Sequence, residues 1–100
     1  MAVVEVTVIP IGTKDPSLSK YVAKALEELE NKDVDYELTP SGTVLEGDLS
    51  EILEVIRDMH ESVFGDDIKR VVTSIQIDDR RDKKHTRAGK KKSVEDRMKK

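Results

Sequence analysis

Apolar and polar residues alternate along residues 2–9, AVVEVTVI, with Val4, Val6 and Val8 on one side of an extended chain and Val3, Glu5, Thr7 and Ile9 on the other. That period of two predicts a strand whose second side is mixed instead of wet. The period then changes. Leu18, Tyr21, Val22, Ala25, Leu26 and Leu29 recur at helical spacing behind Asp15 and Pro16, an N-cap and first-turn pair, and predict an amphipathic helix reaching about Asn31. Residues 34–38 alternate again, Val34, Tyr36 and Leu38 against Asp35 and Glu37, and a turn leads into a short strand over 43–46, making a hairpin. Gly47 and Asp48 open a second helix. Glu51 follows Asp48 by three residues as in a capping box, Leu49, Ile52, Leu53, Ile56, Met59, Val63 and Phe64 form the stripe, and Gly65 is placed to end it as a C′ glycine. Residues 68–78 predict a last strand, with Val71, Thr73, Ile75 and Ile77 on one side and Val72, Ser74, Gln76 and Asp78 on the other.

Strand, helix, strand, strand, helix, strand is the split β-α-β order, so the expected class is α+β, a ferredoxin-like βαββαβ domain over residues 1–79. Right-handed crossovers put both helices on one face of an antiparallel sheet and leave the other face bare. Val3, Ile9 and Val72 make that bare face more apolar than solvent requires, which predicts burial against a second copy and a homo-oligomer, a dimer of dimers. Residues 80–100 form a basic extension expected to be partly helical, near 93–99, and to pack on the oligomer. Its composition is equally that of a disordered segment.

Charge sharpens this division. Residues 1–79 carry 7 Lys/Arg against 18 Asp/Glu, a net of −11, while 80–100 carry 11 against 3, a net of +8. Tail and body attract each other. The acidic body would repel a phosphate backbone and the tail has no aromatic to stack on bases, so nucleic acid is not an expected partner. The chain has no cysteine and only His60 and His85, which removes disulfides, thiolate chemistry and metal-ligand spacing. No apolar run approaches the roughly 20 residues of a membrane span. A cytoplasmic, membrane-free protein is expected, with no cofactor, metal or catalytic constellation.

Two strands end in the same pattern, Pro10-Ile11-Gly12-Thr13 and Pro40-Ser41-Gly42-Thr43. Pro lacks the ladder N–H and Gly permits a turn, so each copy stops a strand and leaves a hydroxyl at the exit. The first and second strands run the same way in this fold. Both turns and the start of the first helix therefore share one end of the molecule, and the last strand runs to the other.

With those residues laid out, the chain resembles the thiamine-binding-protein family, the YkoF-like group of ferredoxin-fold proteins, along nearly its whole length. The resemblance rests on PIGT at 10–13, SLSKYV at 17–22, YELTPSGTVLEG at 36–47, SIQIDDRRDK at 74–83 and SVED at 93–96. It departs at Ser41 and Arg87, where methionine is common, and in the basic run 90–92. The resemblance implies a cytosolic homo-oligomer without catalytic activity that binds thiamine or its hydroxymethylpyrimidine moiety. Such a ligand wants hydroxyl and carboxylate partners and an apolar wall. Thr13, Ser17 and Ser19 at the first turn and helix start are the expected contacts, with Tyr36, Thr43 and Glu46 from the hairpin. Hydroxyls and N–H groups at that helix start would equally suit phosphate or sulfate. The alternative is an assembly module without a small ligand, in which Asp78, Arg80, Arg81 and Asp82 join the sheet face in intersubunit contacts.

Overall fold

The computed structural model describes residues 1–13, 19–30, 32–82 and 87–98. The elements are β1 (Ala2–Ile11), α1 (Ser19–Glu27), β2 (Asp35–Thr39), β3 (Gly42–Gly47), α2 (Leu49–Val63), β4 (Arg70–Asp79) and α3 (Arg87–Met98). The four strands form one antiparallel sheet in the order β2-β3-β1-β4, the ferredoxin-like arrangement expected from the element order. Strand parity decides the layers. Ala2, Val4 and Val6 of β1 and Leu45 of β3 are buried beneath both helices, meeting Tyr21 and Ala25 of α1 and a buried stripe on α2. Val3, Glu5, Thr7 and Ile9 point to the opposite face, opposite Asp78, Gln76, Ser74 and Val72 of β4.

Local chemistry accounts for the element ends. Asp48 sits in extended backbone (φ −70°, ψ 130°) and its Oδ2 accepts the Glu51 N–H at 3.3 Å, the N-cap of α2. The far end differs from the expected glycine stop. Phe64 is the C-cap in extended backbone, and Gly65 does not take a positive φ; its N–H donates to the Ile68 carbonyl at 3.2 Å. The first helix is also shorter than its stripe, ending at Glu27 and tightening through three-residue bonds over Glu28, Leu29 and Glu30. Its expected cap, Asp15 and Pro16, and its expected end, Asn31, lie outside the described residues. Tyr21 is a core residue, as its stripe position implies, and its hydroxyl donates to Asp67 Oδ2 at 3.1 Å.

Of the two turn glycines, Gly12 has φ +84°, the left-handed region in which a side chain is strained. Gly42 (φ +158°) is held by contact, since a Cβ there would lie 2.9 Å from the Val6 carbonyl oxygen, which is backbone and cannot swing aside. Gly42→Ala is therefore expected to destabilise the fold by about 1–3 kcal/mol, read as a lower urea midpoint at unchanged slope.

The tail is helical from Arg87, six residues earlier than expected. α3 stands over the open sheet face: Lys90 Nζ is 2.8 Å from Asp78 Oδ2, and a cleft of about 550 Å³ separates the helix from the sheet, with Val3, Glu5 and Val44 on one side and Lys91, Val94 and Glu95 on the other. The face expected to be bare is thus partly roofed by its own chain at this end. At the other end Ile9, Ile11 and Val72 remain exposed. No helix among the described residues is long and apolar enough to cross a membrane.

Candidate functional site

The sheet contains a notch that follows from its register. β1 pairs with β3 only from Ala2 to Val6, opposite Gly47 to Thr43, whereas its ladder with β4 continues to Ile11 opposite Arg70. The β2–β3 hairpin turns at Pro40 and Ser41, too early to flank the rest of β1. Among the described residues, none consequently forms a strand beside residues 7–11 of β1 on that side. α1 crosses above the gap, and the result is a cleft of about 610 Å³, within the range of small-molecule sites. Its apolar walls come from Val6 and Val8, from Val22, Ala23, Ala25 and Leu26 of α1, from Leu38, and from Met59 of α2. The polar side chains are Thr7, Thr39, Ser41 and Thr43, and among the described residues no ionisable side chain lines it.

Thr43 is distinctive. It is the one buried polar residue among those described, 5% exposed, and its hydroxyl makes no hydrogen bond among the described residues. Thr39, by contrast, donates its hydroxyl to the Gly42 carbonyl at 2.9 Å and so tightens the turn. Buried polar groups are nearly always partnered, because an unmade hydrogen bond costs about 1–3 kcal/mol.

The six residues expected at the site divide. Both Pro-x-Gly-Thr turns lie at one end of the sheet, as the strand directions require, and Thr43 lines the cleft. Thr13, half-buried and already engaged in a polar contact, follows the first turn but does not line it. Ser17 lies outside the described residues, as does the side chain of Ser19. Tyr36 pairs with Leu45 on the helix side, half-exposed at the β2 edge, one step along that face from Leu38 and not in the cleft. Glu46 is separated outright. It lies opposite Val3 and Asp35 on the open face, three residues from Thr43, hence about 10 Å along the strand. Glu46 and Thr43 cannot meet one small ligand within a chain, because neighbouring parities of a strand point to opposite faces.

The basic segment leaves from the other end. Arg80 makes a two-point contact with Asp82 (Nε to Oδ1 2.6 Å, Nη2 to Oδ2 3.0 Å), and Arg81 Nη2 lies 3.0 Å from Asp79 Oδ2. The hydrogen bond that Arg80 donates to Asp82, aided by the charges of Asp82 and Asp78, raises the Arg80 pKa above its ordinary value although desolvation opposes it. These pairs are local and solvent-exposed. His60 places Nδ1 2.6 Å from Thr73 Oγ1 and its ring edge-on to Phe64 at 5.3 Å. No group of three or more His, Asp or Glu suited to a metal occurs among the described residues.

A profile of the thiamine-binding protein family matches residues 4–95, which include every residue of the cleft. The chain belongs to this family. Among its relatives, the UPF0045 protein YqgV of Bacillus subtilis is 48% identical over 98 residues, covering 94% of each chain. MJ1052 of Methanocaldococcus jannaschii is 47% identical over 92 residues, covering 92% of this chain and 90% of that one. The crystal structure of MJ1052 superposes with a TM-score of 0.85, covering 93% and 94% of the two chains. A Thermotoga maritima protein described as a candidate in thiamine biosynthesis or salvage superposes with a TM-score of 0.75 over 92% of this chain and 97% of that one; at 24% identity this likeness speaks for the fold. The α+β fold expected for the thiamine-binding protein family is thus shared by these solved structures and this chain.

Sequence reasoning missed Val22, Ala23, Leu26, Leu38 and Ser41 as cleft residues. Val22 and Leu26 were visible only as part of a helical stripe, in which nothing distinguishes a wall facing a void from one facing a packed neighbour, and Ala23 lies outside that stripe.

Proposed function

We propose that the protein binds a small flat heterocycle, thiamine or its hydroxymethylpyrimidine moiety, in the α1–β1–hairpin cleft, and that it does so without catalysis. The orphan Thr43 hydroxyl carries this reading. An aminopyrimidine offers both donors and acceptors to it, and an apolar wall to lie against, so ligand binding would relieve the unmade hydrogen bond. A cleft without ionisable side chains among the described residues suits the neutral pyrimidine half. The thiazolium cation of the whole vitamin would then face outward, towards a body whose net charge of −11 attracts it. A phosphate at the start of the first helix remains part of the proposal, although residues 14–18 are outside the described set. Self-association belongs to the same reading, since a second copy would cover the exposed Ile9, Ile11 and Val72.

Calorimetric titration with thiamine, its phosphates and hydroxymethylpyrimidine tests it. Thr43→Val keeps the shape and removes the hydroxyl, and should weaken binding roughly two- to tenfold, the value of one hydrogen bond. Its stability should be unchanged or higher, because an unpartnered buried hydroxyl is replaced by a methyl. Undetectable binding by the parent would turn the reading to an assembly module.

A further inference from the structure

The direction of the β1 backbone decides what the cleft offers besides side chains. In an antiparallel sheet the N–H and C=O of one residue point to the same neighbouring strand, and those of the next residue point to the other. Two observations fix which residues of β1 point into the notch. A Cβ on Gly42 would lie 2.9 Å from the Val6 carbonyl oxygen, so the backbone of Val6 is turned towards β3. Pro10 pairs with Val71 of β4 although it has no N–H, which a ladder tolerates where that position points away from the partner. Even-numbered residues therefore face the β3 side and odd-numbered ones bond β4. Val6 meets Thr43 there, but Val8 comes two residues after that ladder ends. Its N–H and C=O open into the cleft whose wall it forms, and neither has a hydrogen bond on that side among the described residues.

We propose that the backbone of Val8 reads the hydrogen-bonding edge of the ligand, its N–H donating to a ring nitrogen and its C=O accepting from an amino group on the adjacent ring carbon. This rests on the binding function proposed above and adds the class of ligand, a flat heterocycle with an acceptor and a donor side by side. The missing strand explains the match. In a hydrogen-bonded pair of an antiparallel ladder, each residue gives one N–H to the residue opposite and takes one from it. A group that stands in for the absent residue must therefore accept and donate at neighbouring atoms. The amino group and adjacent ring nitrogen of hydroxymethylpyrimidine do this, whereas an ionised carboxylate, which only accepts, leaves the Val8 C=O unmet. An extended peptide fits less well. Pro10, the next residue facing this side, has no N–H, so a strand laid here would gain one complete pair and then fail. Position agrees with a single ring. Val8 stands two residues past Val6, the partner of Thr43, hence about 7 Å along the sheet. A substituted six-membered ring spans that interval, so one ligand engages the Val8 backbone at one edge and the Thr43 hydroxyl at the other. Val22, Leu26 and Met59 offer apolar surface around it, and hydrogen bonds made in such surroundings are stronger than in water.

Amide hydrogen exchange, followed residue by residue by NMR, tests the contact directly. In the free protein the Val8 amide should exchange at least tenfold faster than those of Thr7 and Ile9, which face β4, and saturating hydroxymethylpyrimidine should slow it at least tenfold. Val8→Pro removes this N–H without removing a bond to β4, as at Pro10, while Val8→Ala loses the same wall and keeps the N–H. By calorimetry Val8→Pro should bind hydroxymethylpyrimidine at least tenfold more weakly than Val8→Ala does. The parent should likewise bind an analogue with a methyl group in place of the amino group at least tenfold more weakly. A Val8 amide already protected in the free protein would overturn the open edge. Binding of hydroxymethylpyrimidine that leaves Val8 exchange unchanged, or equal affinities for the two variants, would overturn the role of Val8 and leave the cleft as the binding site. Absence of binding by the parent would overturn both. Should Val8→Pro not fold, exchange in the parent decides alone.

Discussion

Leu45→Ala is expected to lower the free energy of unfolding by about 3–5 kcal/mol, the upper range for truncating a buried leucine. Leu45 is 0% exposed at the centre of the sheet, between Val4 on β1 and Tyr36 on β2, and it belongs to the same core as Ile52 of α2. Truncation loses the transfer free energy of the removed carbons and leaves a cavity that rigid strands on both sides cannot close. Domains of this size have on the order of 5–15 kcal/mol in total, so the loss is a large fraction of the stability. Leu38→Ala is the control. Leu38 is 56% exposed at the cleft rim and its loss should cost less than about 1 kcal/mol. Urea titrations at one protein concentration compare the two, since association would otherwise shift the midpoints. A loss below about 1 kcal/mol for Leu45→Ala would mean that the sheet centre is not the structural core.

Most of the fold was legible because each buried element has one dominant period. Alternating valines defined β1, helical spacing defined α1 and α2, and Asp48 announced the start of α2 through a side-chain cap. The end of α2 was misread because a glycine at the right position carries no information about its φ: Gly65 stays out of the left-handed region while Phe64 caps. α3 was misplaced for another reason. Lys and Arg are good helix formers, yet a block of like charge reads equally as a solvated tail. What helps to hold the helix to the sheet is the Lys90–Asp78 pair, a contact between distant residues that no local pattern encodes.

The site was legible in part. The second Pro-x-Gly-Thr lies where the cleft opens, and its Thr43 lines that cleft. Glu46 and Thr43 differ in parity along β3, so the alternation of the strand itself separates them. The cleft itself could not be read from the sequence. It arises from a difference in register, five residues of β1 extending past the β3 ladder, and registers are fixed by tertiary pairing and turn position rather than by composition.

That geometry leads to a decisive binding comparison. Ala23 lies on α1, exposed, with its methyl at the wall of the cleft. Ala23→Trp would replace this methyl with an indole that occupies the mouth, while the outward position spares the core. The helix itself should lose less than about 1 kcal/mol, from lower propensity alone. Affinity for hydroxymethylpyrimidine or thiamine is expected to fall at least tenfold, which corresponds to about 1.4 kcal/mol. Glu46→Gln, on the opposite face and towards the opposite end of β1, is expected to bind as the parent does. Titrating the parent and both variants at equal ligand purity and with matched oligomer mass distinguishes two locations. Weakening in Ala23→Trp alone places the ligand in the α1 cleft. The reverse result, weakening in Glu46→Gln alone, would move the ligand to the open sheet face beneath α3, where Val3, Glu5 and Lys90 surround the second cleft, and would defeat the cleft assignment.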